Sequence, residues 1–274
     1  MNPTVPTFSI VCIAISALAG IAIPAALFLV FRKKYRADIL PFFVGCAVFL
    51  LFASLIEHTI NRYILLSDAG TVLQSSVWLY SAFFGLMAGL FEETGRFVAF
   101  QTILKKKLGN DSNALMYGAG HGGVEVFYLL VTSMVTNLYF AFMLNSGRGD
   151  ALTAGVTDPA TLQTIRATLT TLSSIPSTMY LVSIVERISA VALHISLSVL
   201  VWFAVKERGK KLWYFPLAIL LHALVDAAAV ITASYASSIW IALGATYVIT
   251  ACIVVFACFV WKRSASAKRV AAAR

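Results

Sequence analysis

Three short polar clusters and one lone histidine interrupt an otherwise apolar sequence: Glu92, Glu93 and Arg96 in EETGR, His121 and Glu125 in HGGVE, His194 in AVALHIS, and His222 and Asp226 in HALVD. Paired carboxylates and imidazoles are the groups of general acid–base chemistry. Arg96 stands four residues after Glu92 and three after Glu93, so on a helix it can reach either carboxylate and hold it ionised. The other glutamate is then a candidate general base. His121 and Glu125, like His222 and Asp226, are one helical turn apart, where an acid can orient an imidazole and select its tautomer. Glycine surrounds His121 in YGAGHGGV and lets backbone or substrate come close. If a metal is present, His121, His194 and His222 are the expected ligands, although the HExxH signature is missing.

The elements that must position these groups lie in lipid. The 274 residues are 60% hydrophobic and 12% charged, against about 45–50% and about 25% in a soluble domain, and the mean hydropathy is +0.86. That composition excludes a water-soluble enzyme, a nucleic-acid-binding domain and a disordered chain. Seven apolar runs, about 8–31, 40–60, 77–104, 113–144, 177–205, 212–233 and 237–261, are each long enough to cross about 30 Å of hydrocarbon as a helix. Backbone amides in lipid need partners within their own segment, and the alternation of a membrane barrel is absent, so the spans are expected to be helical. The expectation is an all-α, polytopic bundle of about seven helices forming a single integral membrane domain over residues 1–274.

Sixteen of the 21 Lys and Arg residues follow runs one, three, five and seven, whereas the loops on the other side hold only Arg62, Arg148 and Arg166. The positive-inside rule then places the N-terminus outside and the C-terminus in the cytoplasm. The net charge of +9 thus reads as a topology signal that favours anionic headgroups, and nucleic acid is not an expected partner. Cys12, Cys46, Cys252 and Cys258 lie within apolar runs without disulfide or zinc spacing. Residues 145–176 form the longest non-membrane piece, in which 160–172 is expected to be a short amphipathic helix on the outer surface.

At about 1.5 Å per residue from the cytoplasmic end of each run, Glu92 and Glu93 lie roughly 17–18 Å deep, His121 about 12 Å, Glu125 about 18 Å, His194 about 16 Å, His222 about 15 Å and Asp226 about 21 Å. Four helices deliver ionisable groups to one slab, where an isolated charge costs about 2.5–3.5 kcal/mol on insertion scales. They are expected to face one another or a wet cavity. Glu186 and Arg187 read as a structural ion pair nearer the outer face, and Glu57 and His58 as a wet helix end.

EETGR, HGGVE and HALVD on separate spans, with Glu186, Arg187 and His194 in ERISAVALH, resemble the YhfC family of bacterial membrane peptidases. That family looks like a branch of the glutamic intramembrane protease superfamily, which includes the CAAX prenyl endopeptidases. The arginine stands one residue closer to the glutamates than in the CAAX pattern, and Asp226 replaces the Asn of many relatives. His121 and His194 both match the second-motif histidine.

The resemblance implies an intramembrane endopeptidase of a bacterial plasma membrane acting on a membrane protein or lipidated peptide. Glu92 or Glu93 would activate water, with His121 orienting it. His222, backed by Asp226, would stabilise the oxyanion, Arg96 would fix the charge of the glutamate pair, and Glu125 and His194 would complete the site. No cofactor is expected on this reading. The alternatives are a zinc-dependent protease, a proton-coupled transporter with the same groups as a relay, and a catalytically silent scaffold.

Overall fold

The structure is a computed structural model that describes residues 4–272, with side chains through Ser264. Arg274 and the side chains of Lys268 and Arg269, counted above with the last basic cluster, lie outside the described residues. The described residues form helices and no strand. In chain order the helices are α1 (Thr7–Lys33), α2 (Leu40–Leu65), α3 (Asp68–Gln74), α4 (Val77–Gln101), α5 (Ser112–Asn145), α6 (Pro159–Ser174), α7 (Met179–Glu207), α8 (Tyr214–Tyr235) and α9 (Ile239–Ala272). Six of them are long and apolar enough to cross a membrane. The pair α3 and α4, bent by 115°, brings the number to seven, so the chain is a multi-pass membrane protein. Each apolar run of the sequence corresponds to one of these helices.

Two spans depart from simple α-helix. α2 carries a π-helical stretch at Phe49–Glu57, and α5 carries one at Phe127–Val131. A π turn inserts an extra residue and rotates the face that follows it. The apolar periodicity of these runs gave no sign of either. α4 is capped by Ser76, whose hydroxyl accepts from Leu79 N–H, and stops at Gln101, shorter than its apolar run. α6 begins at Pro159 behind Asp158. The Asp158 carboxylate accepts from Thr161 Oγ1 (2.6 Å) and N–H (2.8 Å), and these bonds hold it below the usual carboxylate range.

The helices fall into two compact units: residues up to Ala25 with Val126–Ile188, and Ala26–Glu125 with the chain from Ser189 onward. In the first, polar side chains join helices that have no hydrophobic drive to associate in lipid. Ser16 Oγ donates to Tyr180 O (2.8 Å), and Asn145 clasps both the N–H and the carbonyl of Val5 (2.7 and 2.9 Å). Arg187 and Glu186 form an ion pair in this unit.

The second unit is built around the C-terminal half of α7. Residues 196–205 are buried without a break, as expected of a helix apolar on all sides. Trp202 packs edge-on against Phe100, which does the same against Tyr117. Asp111 accepts from Trp202 Nε1 (3.2 Å) and from Lys206. Glycines allow the helices to approach. A Cβ at Gly85 or Gly89 of α4 would lie 2.5 Å from the carbonyl oxygens of Ala223 and Ile219 in α8, and one at Gly118 of α5 would lie 2.6 Å from Ile195 Cα in α7. The GxxxG spacing in α4, common in membrane helices, here seats the helix that carries His222.

Candidate active site

The second unit holds all the sequence-predicted site residues. α4 supplies Glu92, Glu93 and Arg96, α5 supplies His121 and Glu125, α7 supplies His194, and α8 supplies His222 and Asp226. Glu93, Arg96 and His121 are wholly buried, and Glu92, His194 and His222 are nearly so. Asp226 is the most open, with its side chain 39% exposed. The three imidazoles form a row, with ring centroids 4.8 Å apart from His121 to His194 and 5.2 Å from His194 to His222.

The pairing within the cluster is specific. Arg96 Nη1 contacts both oxygens of Glu93, so the arginine engages the glutamate three residues back. Glu93 Oε1 also meets His222 Nδ1 at 2.9 Å. Glu92 Oε2 meets His121 Nε2 at 2.7 Å. Glu125 Oε2 lies 2.6 Å from His194 Nε2. The acid one turn from His121 thus reaches across to another helix, while His121 takes its carboxylate from α4. His222 Nε2 lies 3.5 Å from Asp226 Oδ2, so the intrahelical pair exists, but Glu93 is the closer partner.

The contacts fix one tautomer. A guanidinium can only donate, and Arg96 Nη2 lies 3.3 Å from His194 Nδ1, so Nδ1 presents its lone pair. Neutral His194 then carries its proton on Nε2, the nitrogen beside the Glu125 carboxylate. The Nδ1 lone pair is also 3.9 Å from Glu92 Oε2.

Glu92, His194 and His222 offer three ligand atoms within 4.8 Å of one another. Two histidines and a glutamate form one of the donor sets that hold catalytic zinc with a fourth position open. Ligand atoms about 2.0–2.1 Å from one tetrahedral ion stand about 3.3 Å apart, so small side-chain movements close the set. The outer contacts suit it too, since a ligating histidine generally gives its other N–H to a carboxylate, as His222 can to Glu93 and His194 to Glu125. The residue set fits a divalent metal. Of the three histidines expected as ligands, His194 and His222 belong to this set. His121 is turned toward Glu92, and its Nδ1 is buried without a hydrogen-bond partner among the described residues.

Glu57 is a correction to the sequence reading. It is buried, 9% exposed, and accepts from Asn61 Nδ2 at 3.0 Å, whereas His58 is exposed. The π stretch of α2 ends at Glu57, and its extra residue sets which side of the next turn faces inward. The spacing of Glu57 and Asn61, one helical turn, was the available signal.

The model of a family described as "YhfC intramembrane metalloprotease" matches residues 19–248. An uncharacterized membrane protein YhfC of Bacillus subtilis (strain 168) is 34% identical over 225 residues, covering 81% of this chain and 84% of that protein. No solved structure matches the chain. With its motifs buried together and a family match over most of its length, the chain belongs to the YhfC family.

Proposed function

We propose that this protein hydrolyses peptide bonds of membrane-associated substrates inside the bilayer, and that it does so with a divalent metal held by Glu92, His194 and His222. The observation that carries the reading is the single buried cluster that four helices build from these ligands and their carboxylate partners. The family description points the same way. A metal there supplies Lewis-acid polarisation of the scissile carbonyl and acidifies water. The chain's own residues do the rest. Glu93, itself fixed by Arg96, accepts the Nδ1 proton of His222 and leaves Nε2 its lone pair. Glu125 does the same for His194, leaving Nδ1. His121 holds the orientation of the Glu92 carboxylate. Apolar packing around the row of imidazoles excludes bulk water, which strengthens each electrostatic contact.

A second reading has its own support. Arg96 already faces the Nδ1 lone pair of His194, and His121 already faces Glu92 Oε2, so the set is partnered by protein alone. In that glutamate-based version Glu92 takes a proton from water, His121 orients the water, and His222 with Asp226 stabilises the oxyanion. The motif order supports kinship with the CAAX-protease-like glutamic superfamily. On either reading the substrate is a membrane protein or a lipidated peptide. The basic loops support a bacterial plasma-membrane topology with the N-terminus outside and the C-terminus inside.

Purified protein reconstituted with a single-spanning reporter peptide, with products identified by mass spectrometry, tests both versions. The metal reading expects bound zinc, loss of cleavage with a chelator and recovery on zinc addition. Cleavage that survives chelation without bound metal, yet is lost in Glu92→Ala, favours the glutamate version. A folded protein that cleaves no such peptide but carries proton-linked solute flux in liposomes refutes the protease reading.

A further inference from the structure

Besides the residues of the three motifs, α2 contributes a buried polar pair whose chemistry the hydrolytic cluster does not use. Glu57 is 9% and Asn61 8% exposed. Asn61 Nδ2 donates to Glu57 Oε1 at 3.0 Å, which fixes the amide so that Oδ1 points away from the carboxylate. Asn61 Oδ1 is buried and has no hydrogen-bond partner among the described residues. An unpaired buried acceptor carries its full desolvation penalty. The helix that carries the pair also borders the site, because Phe49 of α2 stands edge-on to His121 with ring centroids 5.4 Å apart.

A peptide about to be cleaved in a membrane presents the complementary group. A scissile bond must be reached from both faces, so the substrate helix has to open locally, and each N–H it releases finds no water in the hydrocarbon. We propose that Asn61 Oδ1 accepts a backbone N–H of the opened substrate segment beside the scissile bond, and that Glu57 is the positioning residue that aims it. The inference rests on the protease reading and extends it with a residue that recognises peptide backbone of any sequence. An acceptor aimed this way favours unwound segments over intact helices, whose N–H groups are already paired.

The test uses the Glu92→Gln variant in nanodiscs, so that binding is measured without cleavage, and a fluorescent single-spanning peptide followed by anisotropy. Adding Asn61→Leu is expected to weaken binding about fivefold, the factor of one net hydrogen bond, in protein shown to be folded by its melting curve. A series of peptides in which one backbone N–H at a time is replaced by an ester oxygen supplies the decisive readout. At one position the ester should weaken binding to Glu92→Gln by a similar factor and leave the Asn61→Leu double variant unaffected. The swap Glu57→Gln with Asn61→Asp keeps the net charge, the internal bond and an outward acceptor, and should restore affinity to within about twofold. It also serves if Asn61→Leu does not fold.

Unchanged affinity in Asn61→Leu, ester effects of equal size in both backgrounds at every position, or a peptide that neither background binds would each overturn the inference. Cleavage of the same peptide by the wild-type protein is scored separately. A peptide that binds with the expected ester pattern but is never cut defeats the protease reading and leaves the Asn61 contact standing.

Discussion

Replacing Arg96 by methionine isolates the interaction on which the site's electrostatics depend. Arg96 and Glu93 are both wholly buried, and the guanidinium contacts both carboxylate oxygens. Among the described residues, the other hydrogen-bond donor to Glu93 is His222 Nδ1. Methionine fills much of the arginine stem, so the change removes charge more than volume. It leaves a buried carboxylate held by a single imidazole, and it strips the His194 Nδ1 contact at 3.3 Å. Breaking a buried pair from one side costs about 3–5 kcal/mol. The companion change Glu93→Gln removes the orphaned charge and keeps a carbonyl oxygen that can accept from His222. Arg96→Met with Glu93→Gln should therefore return to within about 1–2 kcal/mol of wild type, a recovery of about 2–3 kcal/mol over Arg96→Met alone. Reversible unfolding in mixed micelles, followed by tryptophan fluorescence, reads both values. A single-variant cost below about 1 kcal/mol, or a double variant as unstable as the sum of the singles, refutes the buried-pair argument. Recovered stability should not bring back recovered hydrolysis, since a neutral amide behind His222 does not raise its basicity as the Glu93 carboxylate does.

Glu125→Gln tests the carboxylate behind His194: metal affinity measured by competition with a chromophoric chelator should fall about 10–100-fold, and an unchanged affinity removes Glu125 from that role. Gly120→Ala places a Cβ 1.9 Å from the Phe42 carbonyl oxygen, a backbone clash that should cost about 1–3 kcal/mol or prevent folding. Gly109→Ala, with nothing within 4 Å, should leave the melting temperature in place. In a cysteine-free background, membrane-impermeant maleimide should label a cysteine at Arg166 from outside the cell and one at Lys106 only after permeabilisation; the reverse pattern inverts the topology.

Much of this protein is written in its local sequence. Apolar run length against the thickness of hydrocarbon, with the backbone's need for internal partners, determines helices and their number. The cost of a charge in lipid marks Glu92, Glu93, Arg96, His121, Glu125, His194, His222 and Asp226 as a set that must meet. Helical spacing allows Arg96 to take either glutamate, and both histidine–acid pairs to close within one turn. Those are local options of similar energy, and only the neighbouring helices choose among them. His222 comes to Glu93 because Gly85 and Gly89 let α8 lie close against α4, and His194 comes to Glu125 because Gly118 lets α7 lie close against α5. One-turn spacing lets Asn61 reach Glu57, but the π stretch that precedes this pair leaves no mark in apolar periodicity. Composition and span length are properties of one segment in its solvent, whereas the pairing of buried charges is decided by which segments pack together.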